Sequence, residues 1–233
     1  CEDRNGWIWV GTSSGVYVFN PDELIDDQSI YYHYSYLKGE LRSDEIKYLF
    51  SASENNMWIA TSGFGFSICM PEGDYGSLKF QHFGTADGLC NDVVQSIAED
   101  RQGNIWLATE YGISKFVRSE KLFQNYFFSA YSLGNVYTES AVSQCDNGDI
   151  LFGSNYGFIV FNPETVKRST LSFPVIFTNI NVNGTNMLPG DPDSPLTSSL
   201  AYSEGVRLKH NQNSVIIDFS SFNYSDAGQP KYS

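Results

Sequence analysis

The sequence predicts an all-β chain: a partial β-propeller of four blades, followed by the start of an immunoglobulin-like β-sandwich. Three observations carry this. An aromatic-centred strand recurs at Trp9, Trp58, Trp106 and Leu151, at intervals of 49, 48 and 45 residues. A closing glycine keeps step with it at Gly15, Gly65, Gly112 and Gly157. Aromatic residues make up 15% of the 233 residues and glycines number 20, a balance suited to many short strands joined by tight turns.

Each repeat reads the same way from its N-terminal side. A strand such as Glu45 to Phe50, Val93 to Ala98 or Ser140 to Gln144 runs into a polar turn. The turn is Asp3 to Gly6 in the first copy, Asn55-Asn56 in the second, Asp100 to Gly103 in the third and Asp146 to Asp149 in the fourth. An apolar run follows, as in Asn104 to Thr109, of the kind expected for a strand buried on both faces. Small residues close that run at Gly11, Ala60, Ala108 and Gly153, where backbones approach closely. A glycine turn leads into a third strand, Val16 to Phe19, Ile113 to Phe116 or Phe158 to Phe161, and Asn20-Pro21 and Asn162-Pro163 end two of these. An aromatic fourth strand comes next: Ile30 to Tyr34, Leu78 to Phe83 or Leu122 to Phe127. About four short antiparallel strands per repeat is the makeup of a propeller blade. Trp9, Trp58 and Trp106 are expected to pack between blades, and Gly15, Gly65, Gly112 and Gly157 to shape the turns.

The pattern changes after residue 172, which places blades at 1–172 and a truncated sandwich at 173–233. Pro174 to Gly184 alternates as one strand and ends in Asn-Gly. Val206 to Leu208 and Val215 to Phe222 read as two more.

Both halves resemble a known pairing. The repeats resemble the two-component regulator propeller unit: a Gly-Leu start, a strand ending in Glu-Asp-x-x-Gly, then Ile-Trp-Ile-Gly-Thr-x-x-Gly-Leu. Asp87-Gly88-Leu89, Val93 to Glu99 and Asp100 to Gly112 fit it best. The tail resembles the Y_Y_Y sandwich in Pro174 to Gly184, Leu208 to Asn213, the Phe219 to Tyr224 run and Tyr232. The resemblance implies a periplasmic sensor region of a Bacteroidetes hybrid two-component histidine kinase, anchored in the inner membrane. It further implies a glycan-derived oligosaccharide as ligand and a sandwich that relays the signal to a kinase and phosphorelay. The chain departs from the family in having four repeats where many are usual, and in Leu151 where a tryptophan is expected.

The net charge of −13 opposes binding to nucleic acid. Cys1, Cys69, Cys90 and Cys145 show neither metal spacing nor a disulfide framework and read as small buried apolar groups. His33, His82 and His210 share no local pattern with carboxylates. No catalytic residues, metal or cofactor are expected. Asp146 to Asp149 reads as a plain turn and Asp26-Asp27 as solvated carboxylates. Candidate ligand contacts lie in the turns after the tryptophan strands: Phe64, Glu110, Tyr111, Asn155 and Tyr156, able to stack on and hydrogen-bond a sugar. Two other readings are a glycan-cleaving propeller, which needs a facing carboxylate pair, and an interaction scaffold. Exposed sheet faces would make the chain a homodimer.

Overall fold

The structure, a computed structural model, describes residues 1–23, 31–128, 136–167, 175–203 and 205–221. The chain divides into two compact units, Cys1–Ser169 and Thr170–Ser233. The expected boundary near 172 and the residues Asp26, Asp27, Ile30, Pro174, Phe222 to Tyr224 and Tyr232 lie outside the described residues.

The first unit holds four antiparallel sheets. Blade 1 is β1 (Ile8–Thr12), β2 (Gly15–Phe19) and β3 (Tyr31–Tyr34). Blade 2 is β4 (Ile46–Ser51), β5 (Met57–Thr61), β6 (Phe66–Cys69) and β7 (Phe80–Phe83). Blade 3 is β8 (Val94–Glu99), β9 (Ile105–Thr109), β10 (Ile113–Val117) and β11 (Leu122–Tyr126). Blade 4 is β12 (Tyr137–Gln144), β13 (Ile150–Ser154) and β14 (Gly157–Phe161). Strands neighbour one another in chain order within each sheet, as short hairpin connections require. Blade 1 starts on its second strand, with only Cys1 and Glu2 pairing against Trp9 and Ile8 on the inner side.

The polar turn is built identically in all four blades. The N–H groups of Asp3, Ala52, Asp100 and Cys145 donate to the carbonyls of Trp7, Asn56, Asn104 and Asp149 at 2.8–2.9 Å. Gly6, Asn55, Gly103 and Gly148 close the turn with φ of 83°, 60°, 81° and 92°, the left-handed conformation that ends such a hairpin. The counterpart of Asp100 in blade 4 is therefore Cys145, one place before the Asp146 aligned from sequence.

The tryptophan strands differ from the expectation of burial on both faces. Every residue of β5 and β9 is buried, but Val10 and Gly11 of β1 are exposed and Leu151 of β13 is half-buried. Burial on both faces needs a blade on each side, and only the middle sheets have one among the described residues. The three indoles are themselves sealed, at 0%, 1% and 0% exposed for Trp9, Trp58 and Trp106. Each anchors the cluster shared with the following blade: Trp9 with Met57 and Ile59, Trp58 with Ile97 and Leu107, Trp106 with Ile150 and Phe152. In blade 4 Phe152 is fully buried where Leu151 is not.

The closing glycines all have positive φ: 103°, 69°, 93° and 139° at Gly15, Gly65, Gly112 and Gly157. At Gly15 and Gly65 an added Cβ would also fall 2.2 and 2.0 Å from the carbonyl oxygens of Tyr34 and Phe83, at the ends of the fourth strands. Of the cysteines, Cys69 and Cys90 are buried, whereas Cys1 and Cys145 are exposed, contrary to the reading of all four as buried groups. Cys1 and Cys145 sit beside the turns, away from the strand centres. Burial pushes the Cys69 thiol up to about 12, with the nearby Asp3 charge adding to it.

The second unit is a three-stranded sheet in the order β16–β15–β17, from β15 (Val175–Val182), β16 (Thr185–Asn186) and β17 (Val215–Ser221). Val206 to Leu208 is not a strand. Val206 contributes its side chain instead, packed on the cluster of Ile180, Val182 and Leu196.

Two substitutions separate the forces at work. Trp106→Ala should cost ~3–5 kcal/mol in urea unfolding of the first unit. Gly65→Ala should cost about 3 kcal/mol or more, through strain plus steric overlap, whereas Gly6→Ala, with open space around it, should cost about 1 kcal/mol from φ alone. Equal losses for the two glycines would show that the close approach does not matter.

Candidate functional site

The innermost strands β4, β8 and β12 touch one another. Strands converging this tightly do not keep a regular ladder, and each is interrupted near its start. In β4 the register jumps between Ile46 and Tyr48, and in β8 between Val94 and Ser96. Lys47 and Gln95 are thus the extra, bulged residues. In β12 the four residues Thr138 to Ala141 face the single Gly153, with Ser140 at φ 58°. A bulge breaks the in–out alternation and re-aims a side chain. Here the bulged segments supply a polar cluster at the end of the sheets that carries the glycine turns.

Lys47 is its hub. Its Nζ lies 2.8 Å from Glu45 Oε1 and 3.3 Å from Glu139 Oε2, joining blade 2 to blade 4. The hydrogen bond and charge of Lys47 hold the Glu45 carboxyl below the usual carboxylate range, and the Glu45 bond raises the Lys47 ammonium. In blade 3 Gln95 is buried and donates from Nε2 to Glu110 Oε1 at 3.3 Å, while its Oε1 has no partner among the described residues. In blade 4 Thr138 Oγ1 donates to Asn155 Oδ1 at 3.4 Å.

The turn residues singled out from sequence divide accordingly. Glu110 and Asn155 reach the bulged segments of their own blades. Tyr111 packs its ring against Phe127, centroids 5.4 Å apart, and its N–H donates to Thr109 Oγ1. Phe64 and Tyr156 stand in solvent at 55% and 74% exposed. Lys47, Gln95 and Glu139 were missed. The one available signal was a polar residue interrupting an apolar inner strand, and it becomes a bulge only once the partner strand's register is known.

Two carboxylates, Glu45 and Glu139, flank the Lys47 ammonium, and a third at this end, Glu110, accepts from Gln95 in blade 3. The arrangement offers many acceptors, an amide and few positive charges. It suits hydroxyl groups or a cation and opposes an anion. A cleft of about 360 Å³ runs beside Lys47, Tyr48 and Ser140 along the open edge of β1, by Val10 and Gly11. No group of three or more potential metal ligands occurs among the described residues. Nor is any helix there long and apolar enough to cross a membrane.

Comparison with known proteins gives a consistent picture. Residues 88–111 match the family "Two component regulator propeller". The extracellular domain of the hybrid two-component system BT3049 from B. thetaiotaomicron is 29% identical, with a TM-score of 0.61 over 95% of this chain and 28% of that one. "Histidine kinase P4" of Formosa agariphila is 25% identical over 231 residues, 99% of this chain and 16% of that protein. PorZ, a surface component of the type-IX secretion system of Porphyromonas gingivalis, shares the fold, with a TM-score of 0.52 and 11% identity over 74% of this chain and 26% of that one. The chain thus spans between about a sixth and a little over a quarter of the length of these relatives.

If Lys47 governs the cluster, Lys47→Met should return the Glu45 carboxyl to the ordinary carboxylate range in an NMR pH titration. The sign follows from the shifts. With its folded midpoint lowered, Glu45 favours the fold above the carboxylate range, and this is lost as pH falls through that midpoint. With its midpoint raised, Lys47 favours the fold until pH rises through that raised value. An unmoved Glu45 in the variant would remove Lys47 from this role.

Proposed function

We propose that this chain, which carries two-component regulator propeller repeats, is part of the extracytoplasmic sensing region of a hybrid two-component histidine kinase. Its blades bind a small ligand at the bulged ends of their inner strands, and the sheet that follows belongs to the module that relays the signal. The observation that carries the reading is the polar cluster of Glu45, Lys47, Gln95, Glu110 and Glu139. It sets charged and amide groups from three neighbouring inner strands at the same end of the blades. Likeness to the BT3049 extracellular domain over nearly the whole chain supports the context.

The ligand class follows from the charges. Three carboxylates against one ammonium favour a neutral, hydroxyl-rich oligosaccharide, with Tyr111 and Tyr156 as stacking surfaces. They disfavour uronate-bearing or sulfated chains, which would be repelled. Hydrolysis of a glycan is the weaker reading, because the carboxylates of this cluster are engaged with Lys47 and Gln95. The sensor reading also places the parent protein in the inner membrane with this region in the periplasm.

Calorimetry on the intact extracellular region should detect neutral oligosaccharides and not their uronate or sulfated counterparts. Glu110→Gln should weaken binding by about tenfold, the worth of one charged hydrogen bond. Normal binding by Glu110→Gln together with Tyr111→Ala and Tyr156→Ala would exclude this face. Self-association is a second reading. It is favoured by Val10, Phe158 and Val160, apolar strand residues 41%, 63% and 45% exposed. Sedimentation equilibrium of this chain should then report a dimer, and a monomer at high concentration would rule it out.

A further inference from the structure

A cavity of about 540 Å³ lies on the outer part of blade 2, formed wholly by residues 68–81. These are the end of β6, the start of β7 and the loop between them. The volume falls within the about 300–1,000 Å³ of small-molecule sites. Ile68, Met70 and Phe80 line it with apolar surface, and Met70 is 59% exposed. Glu72, Asp74 and Lys79 line it with charge. None of these three forms a salt bridge among the described residues. Two carboxylates and one ammonium therefore border the same space without neutralising one another. A lone anion or a lone cation would answer only one sign.

The loop that bears the two acids is fixed from within. Tyr75 is 3% exposed, donates from its hydroxyl to Asp3 Oδ2 at 2.7 Å, and stacks on Trp7 with ring centroids 3.9 Å apart. The Gly76 N–H donates to Asp74 Oδ1 at 2.9 Å, and the Leu78 N–H to the Tyr34 hydroxyl at 3.3 Å. A site held in this way loses little binding energy to ordering.

We propose that this cavity binds a free dipeptide with apolar side chains. Its ammonium is met by Glu72 and Asp74, its carboxylate by Lys79, and its side chains by Ile68, Met70 and Phe80. An extended chain spans ~3.3–3.6 Å per residue, so a dipeptide holds its two charges apart, as the lining does, and brings two side chains to the apolar surface. The excess of carboxylates makes the ammonium the stronger determinant. The cavity shares no residue with the cluster around Lys47 and does not depend on the sensor reading.

The test is an NMR titration of the backbone amides of the whole chain with Leu-Leu, its N-acetyl form, its C-terminal amide, Gly-Gly and free leucine. Leu-Leu should shift the Met70, Glu72 and Lys79 amides and saturate in the millimolar range. Each of the other four compounds should bind about tenfold more weakly or worse, the worth of one charged hydrogen bond or of the lost apolar contact. Lys79→Met should bind Leu-Leu and its amide alike. Glu72→Gln combined with Asp74→Asn should bind Leu-Leu and its acetylated form alike. A merely loosened loop would lower every affinity and exchange no preference. Absence of a saturable shift with Leu-Leu overturns the proposal. So does equal or tighter binding of any of the other four compounds to the wild type, or a Lys79→Met variant that keeps the preference for the free carboxylate.

Discussion

The propeller unit depends on a buried aromatic ring per blade lying against the next sheet. A short antiparallel sheet with two apolar faces cannot cover both by itself. Trp9, Trp58 and Trp106 each cover one face and fix the distance to the neighbour. The polar edge of each indole then becomes a problem, since an unmet N–H in such a place is costly. Blade 1 answers with Asp3, shared with Tyr75 of blade 2; blade 3 answers with Asp100, neutralised by Lys115. Blade 4 removes the problem, with Leu151 in place of the ring and Cys145 in place of the acid. Tryptophan and turn carboxylate are present together in blades 1 and 3 and absent together in blade 4; blade 2, with Trp58 and Ala52, is the exception.

The polar cluster arises from the same packing. Blades set face to face about converging inner strands crowd those strands at one end, and bulges in β4, β8 and β12 relieve the crowding. Each bulge turns a side chain out of the ladder. The residues so turned, Lys47, Gln95 and the Thr138–Ser140 segment, are polar, while the rest of β4 and β8 is largely apolar. A packing irregularity thereby becomes the chemically richest point of the blades.

Features fixed by one residue's local needs were legible in the sequence. The closing glycines repeat because the turn demands positive φ, and the tryptophans because each seam needs one large ring. Strands built on these markers, such as Ile105–Thr109 and Ile113–Val117, emerge within a residue of their expected limits. Features that need two distant strands were hidden. Lys47 as a bulge exists only in the register of β4 on β5, and the Asp3–Tyr75 bond joins residues 72 apart. Val206 to Leu208 misled because an apolar triplet packs equally well as a loop side chain on a core, which is how Val206 meets Ile180, Val182 and Leu196. The candidate residues divide on the same line: Glu110 and Asn155 are read from their turns, whereas their inner-strand partners Gln95 and Thr138 need the strand register.

The three seams are made of different materials. Between blades 1 and 2 the link is a buried carboxylate with Trp9, Tyr75 and Asn5 around it, closed by the stacked rings of Trp7 and Tyr75. Between blades 2 and 3 the polar links are Arg118 on Glu54, which is largely in solvent, and the Ser53 N–H and hydroxyl donating to the Glu99 carboxylate. Between blades 3 and 4 it is Arg101 on the Asp146 carbonyl and Gln144 on the Glu99 carbonyl. Ions screen the second kind of bond and leave the first untouched. The seams therefore differ in their sensitivity to salt. Raising the ionic strength weakens the Glu54–Arg118 tie between blades 2 and 3 and leaves the buried Asp3 link between blades 1 and 2 in place, so salt acts on the blades seam by seam.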